Sequence, residues 1–185
     1  MTRSRSAPLA ATLLLVAALG VTRAGWASHA QHPPPGEFTC PAKVRFSPHG
    51  GAERAVVDTL RLAQKQVHAA LYGLTNPTIE AALADLSRAG VRVALKTDRS
   101  QSSQKDQAAL LARLRAVGVG VEVSQSGRLL HHKFAVIDDR WVITGSFNWT
   151  RGAEQKNRDN VFIFNCPSLA ARFEAEWETI SRSGP

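Results

Sequence analysis

Long apolar runs are scarce in this 185-residue chain. The one such run, Pro8 to Val21, is shorter than the ~20 residues of a spanning helix, which weighs against a membrane segment and for an export signal. Internal repeats are absent. Metal-ligand spacings are absent too: His29 and His32 lie in a tail with no further ligand at structural-site spacing, so no metal and no cofactor is expected. No basic-plus-aromatic recognition motif of a sequence-specific nucleic-acid reader is present. Cysteine occurs twice, as Cys40 and Cys166. Each flanks an expected strand, and their separation in sequence does not decide between a disulfide and two free thiols.

What is present begins with the amino terminus. Arg3 and Arg5 form a basic start, the apolar run follows, and Gly25-Trp26-Ala27 supplies small residues before a cut, with Ala24 and Ala30 as alternative ends. The expected organisation is a signal peptide over 1–27, a Pro-rich linker over 28–39 and one folded domain over 40–185. The expected location is the periplasm or the exterior, the alternative being a membrane anchor that is never cleaved. Residues 1–27 contain Arg3, Arg5 and Arg23 and no acid, so their removal takes the net charge from +8 to +5. A basic chain favours a polyanionic partner, nucleic acid or an anionic phospholipid surface, although charge alone does not decide it.

Strand and helix patterns alternate through the domain. Strands are expected at Val44–Phe46, Val67–Leu74, Val91–Thr97, Val119–Val123 and Asn160–Asn165. Helices are expected at Ala52–Gln64, Asn76–Ala89, Asp106–Val117 and Ser168–Ser181. Leu169, Phe173, Trp177 and Ile180 make one apolar stripe and read as core. Asp98–Lys105 reads as a polar loop that is a candidate substrate-contacting surface. The pattern predicts an α/β domain with a mixed, mostly parallel sheet sandwiched between helical layers.

The most informative stretch is HHKFAVIDDRWVITGSFN, from His131 to Asn148. Six positions, His131, Lys133, Asp138, Gly145, Ser146 and Asn148, stand in the spacing H-x-K-x4-D-x6-G-S-x-N. Strand alternation puts His131, Lys133, Ala135 and Ile137 on one face and His132, Phe134, Val136 and Asp138 on the other. Asp138-Asp139-Arg140 reads as a turn into a second strand, Trp141–Thr144, after which Gly145 permits close backbone approach. Imidazole, ammonium, hydroxyl and carboxamide thereby converge, a set suited to phosphate. Lysine brings charge, Ser146 and Asn148 bring hydrogen bonds, and histidine attacks or transfers a proton near neutral pH.

These six residues carry the HKD signature, and the chain resembles the phospholipase D superfamily. Its HHKFAVID and GSFNWT segments are similar to those of bacterial Nuc-type endonucleases. The resemblance implies the same layered fold and a site built from two such motifs. This chain holds one, so a homodimer is implied, with both motifs meeting at a two-fold axis. It also implies that His131 attacks phosphorus while its symmetry mate protonates the leaving oxygen, with Lys133, Ser146 and Asn148 around the phosphoryl oxygens. A downstream carboxylate orients the histidine. That position, in KNRDN, is Asp159, where glutamate is usual. Asp138, Gly145 and His132 are expected to be structural. The expected function is a metal-independent, non-specific endonuclease acting on DNA or RNA through a phosphohistidine. The alternatives are a phospholipid phosphodiesterase and a non-catalytic nucleic-acid-binding module.

Overall fold

The structure, a computed structural model, describes residues 36–180. The expected signal peptide and most of the expected linker lie outside the described residues, and among the described residues no helix is long and apolar enough to cross a membrane.

Among the described residues the first elements are strand β1 (Ala42–Phe46) and helix α1 (Ala52–Leu60), then strand β2 (Gln66–Leu71), helix α2 (Pro77–Arg88) and strand β3 (Arg92–Thr97). A short helix α3 (Arg99–Ser102), helix α4 (Lys105–Ala116) and strand β4 (Gly120–Val123) follow. Strands β5 (Lys133–Ile137) and β6 (Trp141–Gly145) form a hairpin. Helix α5 (Arg151–Gln155), strand β7 (Asn160–Asn165) and helix α6 (Pro167–Ile180) are the last elements of the described residues.

All seven strands lie in one sheet in the order β1-β7-β6-β5-β2-β3-β4. The sheet is mixed, as expected, but it is not mostly parallel. Two neighbouring pairs, β2–β3 and β3–β4, are parallel, and the other four are antiparallel. A parallel pairing needs a crossover, which α2 and α4 supply. No helix separates β4 from β5 or β5 from β6, and those strands enter antiparallel to their neighbours.

Alternation along the strands sorts the core into two layers. Val67, Ala69 and Leu71 of β2, with Ala135 and Ile137 of β5, pack with α1, α2 and α4. On the other face Ala70, Phe134, Val136 and Val142 meet α6 through Ala170, Ile180, Phe173 and Trp177. The Phe134 and Phe173 rings meet edge to face at 4.9 Å, a favoured aromatic geometry. The stripe on α6 is therefore core. Cys40, ahead of β1, and Cys166, just after β7, are joined by a disulfide with their Cα atoms 5.6 Å apart.

Two departures have clear causes. Helix α1 stops at Leu60 rather than near Gln64, because the backbone N–H groups of Gln64, Lys65 and Gln66 donate to the Asp138 carboxylate at 2.8, 2.9 and 2.9 Å. The segment expected as a loop from Asp98 contains α3, because Asp98 Oδ1 accepts from the N–H groups of Ser100 and Gln101 at 2.9 and 3.1 Å, an N-cap geometry.

Candidate functional site

The site lies where β2 and β5 end and β6 passes into the segment before β7. Leu71 pairs with Lys133, and the Tyr72 N–H donates to the His132 carbonyl at 2.8 Å. The ladder thus carries past the last strand residue and holds the start of the HKD motif beside Tyr72. His131 and His132 precede β5 rather than lying within it.

The chain after β2 is stitched to the motif's second half. Trp149 N–H donates to the Gly73 carbonyl, and Thr75 and Asn76 N–H donate to the Trp149 carbonyl, all at 3.0 Å. A Cβ at Gly73 would lie 3.1 Å from Thr150 Cγ2 and 3.5 Å from Asn148 Oδ1. The bare backbone there is what brings Asn148 in. Gln107 of α4 secures the same loop: Oε1 accepts from Leu74 N–H at 2.8 Å and Nε2 donates to Thr97 Oγ1 at 2.9 Å.

Lys133 is 9% exposed. Its ammonium donates to the His131 carbonyl at 2.7 Å and sits 5.1 Å from the Tyr72 ring centroid. Burial lowers its pKa, and the nearby Asp159 charge opposes that shift. His131 is exposed, with its ring centroid 4.6 Å from that of Tyr72 and tilted by 58°.

Ser146 and Asp159 form the other half. Ser146 Oγ donates to Asp159 Oδ1 at 2.7 Å and accepts from Asn160 N–H at 3.1 Å. Gly145 makes this possible. Its φ is +147°, and a Cβ there would stand 2.3 Å from the Asn160 carbonyl oxygen. That oxygen instead takes the N–H groups of Ser146 and Phe147 at 3.1 and 3.2 Å. Asp159 Oδ2 and Asn148 Oδ1 are both buried with no hydrogen-bond partner. Buried acceptors of this kind call for donors.

His131, Lys133 and Tyr72 therefore touch one another, Ser146 and Asp159 are bonded, and the Lys133–Asp159 attraction links the two groups. Asp138 and His132 stand apart. Asp138 holds the α1–β2 connection as described. His132 Nε2 is 2.9 Å from Glu176 Oε1 on α6, with its ring against Phe134. Among the described residues no group of three or more His, Cys, Asp or Glu side chains is placed to hold a metal ion.

Tyr72 escaped the sequence reading, and Asp98 and Gln101 entered it only as members of a polar loop expected to contact substrate. Asp98 Oδ2 accepts from Leu130 N–H at 3.1 Å and so fixes the residue before His131. Tyr72 Oη accepts from Gln101 Nε2 at 3.0 Å. The available signal was that the chain's single tyrosine ends an apolar strand and precedes a glycine.

Residues 56–181 match the family model described as cardiolipin synthase, PLD-like domain. The chain is 32% identical over 124 residues to a mitochondrial cardiolipin hydrolase of Chlamydomonas reinhardtii, covering 67% of this chain and 55% of that protein. It is 32% identical over 132 residues to a phospholipase D of Rickettsia bellii, covering 71% and 65% respectively. The chain thus spans less than two thirds of the length of these relatives. The crystal structure of Nuc, a phospholipase D family member from Salmonella typhimurium, superposes with a TM-score of 0.75 at 28% identity, covering 80% of this chain and 97% of that one.

Proposed function

The chain belongs to the phospholipase D-like domain family, and on that premise we propose that it is a phosphodiesterase acting on nucleic acid, with half of the active site in each chain of a homodimer. One observation carries the chemistry: an exposed imidazole beside a buried ammonium, with a hydroxyl–carboxylate pair next to it. In the proposed reaction an imidazole nitrogen of His131 attacks phosphorus, and the bond from phosphorus to the leaving oxygen breaks. His131 of the second copy protonates that oxygen and then takes a proton from water as the water cleaves the phosphohistidine. Lys133 and Asn148 sit against the phosphoryl oxygens, where fixed charge and dipoles stabilise the transition state. Asp159, with one oxygen held by Ser146, offers its other oxygen to an imidazole N–H and orients the ring. His132 and Asp138 take no part in the chemistry.

The basic charge and the near-complete coverage of Nuc support nucleic acid as the substrate. The relatives named phospholipase D and cardiolipin hydrolase favour a second reading, a phospholipid phosphodiesterase using the same groups. We place the protein outside the cytoplasm on the strength of its amino-terminal pattern. The test is an assay of purified protein, and of its His131→Ala variant, on plasmid DNA and on anionic phospholipid vesicles with excess EDTA, alongside the mass in solution. The nuclease reading expects nicked plasmid in EDTA, an inert variant and a dimeric mass. Headgroup release without nicking moves the assignment to lipid. Loss of turnover in EDTA that a divalent ion restores removes the phosphohistidine mechanism.

A further inference from the structure

An imidazole that attacks phosphorus has to present one ring nitrogen in line with the leaving oxygen. His131 stands on exposed chain just ahead of β5, so its own backbone leaves the ring two side-chain torsions to settle. The ring lying 4.6 Å from it is that of Tyr72. Tyr72 is half-buried and belongs to neither apolar core layer, so core filling does not account for it. Its backbone is tied to the motif through His132, its ring takes the Lys133 ammonium at 5.1 Å, and its hydroxyl is held by Gln101.

Gln101 leads back to the same place. It sits on α3, which Asp98 caps with one carboxylate oxygen, while the other oxygen holds the Leu130 N–H immediately before His131. Leu130, His131, Tyr72, Gln101 and Asp98 form a closed circuit of contacts. Each member is fixed by two others, and the nucleophile is the only one with an exposed reactive ring.

We propose that Tyr72 is a positioning residue for His131, with Gln101 as the brace that sets the tyrosine ring, so that α3 belongs to the active site although it touches no reacting atom. This rests on His131 being the nucleophile. The aromatic face supports the imidazole from one side, beside the orienting contact proposed for Asp159, and keeps Lys133 next to it. The Tyr72 hydroxyl matters only through Gln101.

The test uses purified protein and the chromogenic diester bis(p-nitrophenyl) phosphate, with His131→Ala as the separating control. Tyr72→Met, which keeps bulk without an aromatic face, should lower kcat by about 10–100-fold with KM within about twofold, the pattern of a lost transition-state arrangement. Tyr72→Phe keeps the ring and should lose only about 2–5-fold. Gln101→Leu should lose the same amount, and the Tyr72→Phe/Gln101→Leu double variant no more than either single one, because both delete one hydrogen bond. The His131 Hε1 proton resonance, assigned by its disappearance in His131→Ala, should shift in Tyr72→Met and stay near its place in Tyr72→Phe. Full activity in His131→Ala defeats the nucleophile reading itself. An inert His131→Ala beside a Tyr72→Met variant of near-native kcat and unshifted resonance overturns the positioning role alone. If Tyr72→Met does not fold, as judged by circular dichroism, the double-variant cycle decides. Additive losses, or none, overturn the proposal.

Discussion

Replacing Asp138 should cost stability without touching the chemistry. Its carboxylate accepts three backbone N–H groups, from Gln64, Lys65 and Gln66, at 2.8–2.9 Å. It occupies the left-handed region at φ +51°, followed by Asp139 at +54°. Each amide-to-carboxylate bond in this partly solvated place is worth about 1 kcal/mol, so alanine forfeits about 3 kcal/mol. Alanine also resists a left-handed backbone, adding about 1 kcal/mol. At about 2–4 °C per kcal/mol for a chain of this size, Asp138→Ala should melt about 10 °C or more below the parent. Asparagine tolerates the left-handed region and keeps one acceptor, so Asp138→Asn should lose about 1–2 kcal/mol. Burial pushes the Asp138 pKa up, but the three amides and the Lys65 charge outweigh it and leave the carboxyl below its ordinary 3.8. A carboxylate with a depressed folded pKa stabilises fully above 3.8 and loses that contribution as pH falls through the lower folded value. The gap between parent and Asp138→Ala should therefore be widest at neutral pH and narrow in strong acid. Thermal denaturation followed by circular dichroism at both pH values reads this, and turnover per folded molecule should match the parent. A melting point within about 3 °C of the parent, or a gap that does not shrink in acid, refutes the reasoning.

Other consequences follow the same logic. Gly145→Ala forces a Cβ to within 2.3 Å of a backbone oxygen at φ +147°, so it should cost more than about 3 kcal/mol and appear as poor soluble yield or early melting. Lys133→Met should abolish turnover yet leave the melting point unchanged or higher at neutral pH. Burial depresses the Lys133 pKa, so the charged form is a burden on the fold below its ordinary value, and an equal melting penalty at neutral and alkaline pH would contradict this. Asp98→Ala should lower both stability and kcat, since one carboxylate caps α3 and holds Leu130. Burial raises the Asp98 pKa, but Ser100, Gln101 and Leu130 bring it below 3.8, so this loss too should fade as pH falls through the folded value. Unchanged hydrogen-exchange protection of the Leu130 amide in that variant would count against the coupling.

The parts of the fold that sequence reveals are those where pattern and packing agree. The β5–β6 hairpin was legible because Asp138-Asp139-Arg140 separates two apolar runs. So was α6, whose stripe is the one that packs against Phe134 and Val142. The sheet's sense was misjudged because alternation of strand and helix implies crossovers only where helices intervene. That holds from β2 to β4 and fails from β4 through β6, where antiparallel entry is open. Helix α5 is five residues long, set by the Thr150 cap on Ala153, too short to leave a periodic signal. The motif residues were conspicuous because their types stand at a distinctive spacing. Tyr72 and Gln101 were not, since their positions depend on which strand ends lie side by side, and that register becomes known only once Leu71 is found opposite Lys133.

The link between Cys40 and Cys166 spans 126 residues. It turns everything from β1 to β7 into a covalent ring, with both halves of the candidate site threaded on it. A protease that cuts one loop on that ring opens the circle but releases nothing, since the two pieces stay tethered through sulfur. Wherever peptidases are met more often than reductants, such a molecule falls apart only when cut and reduced together.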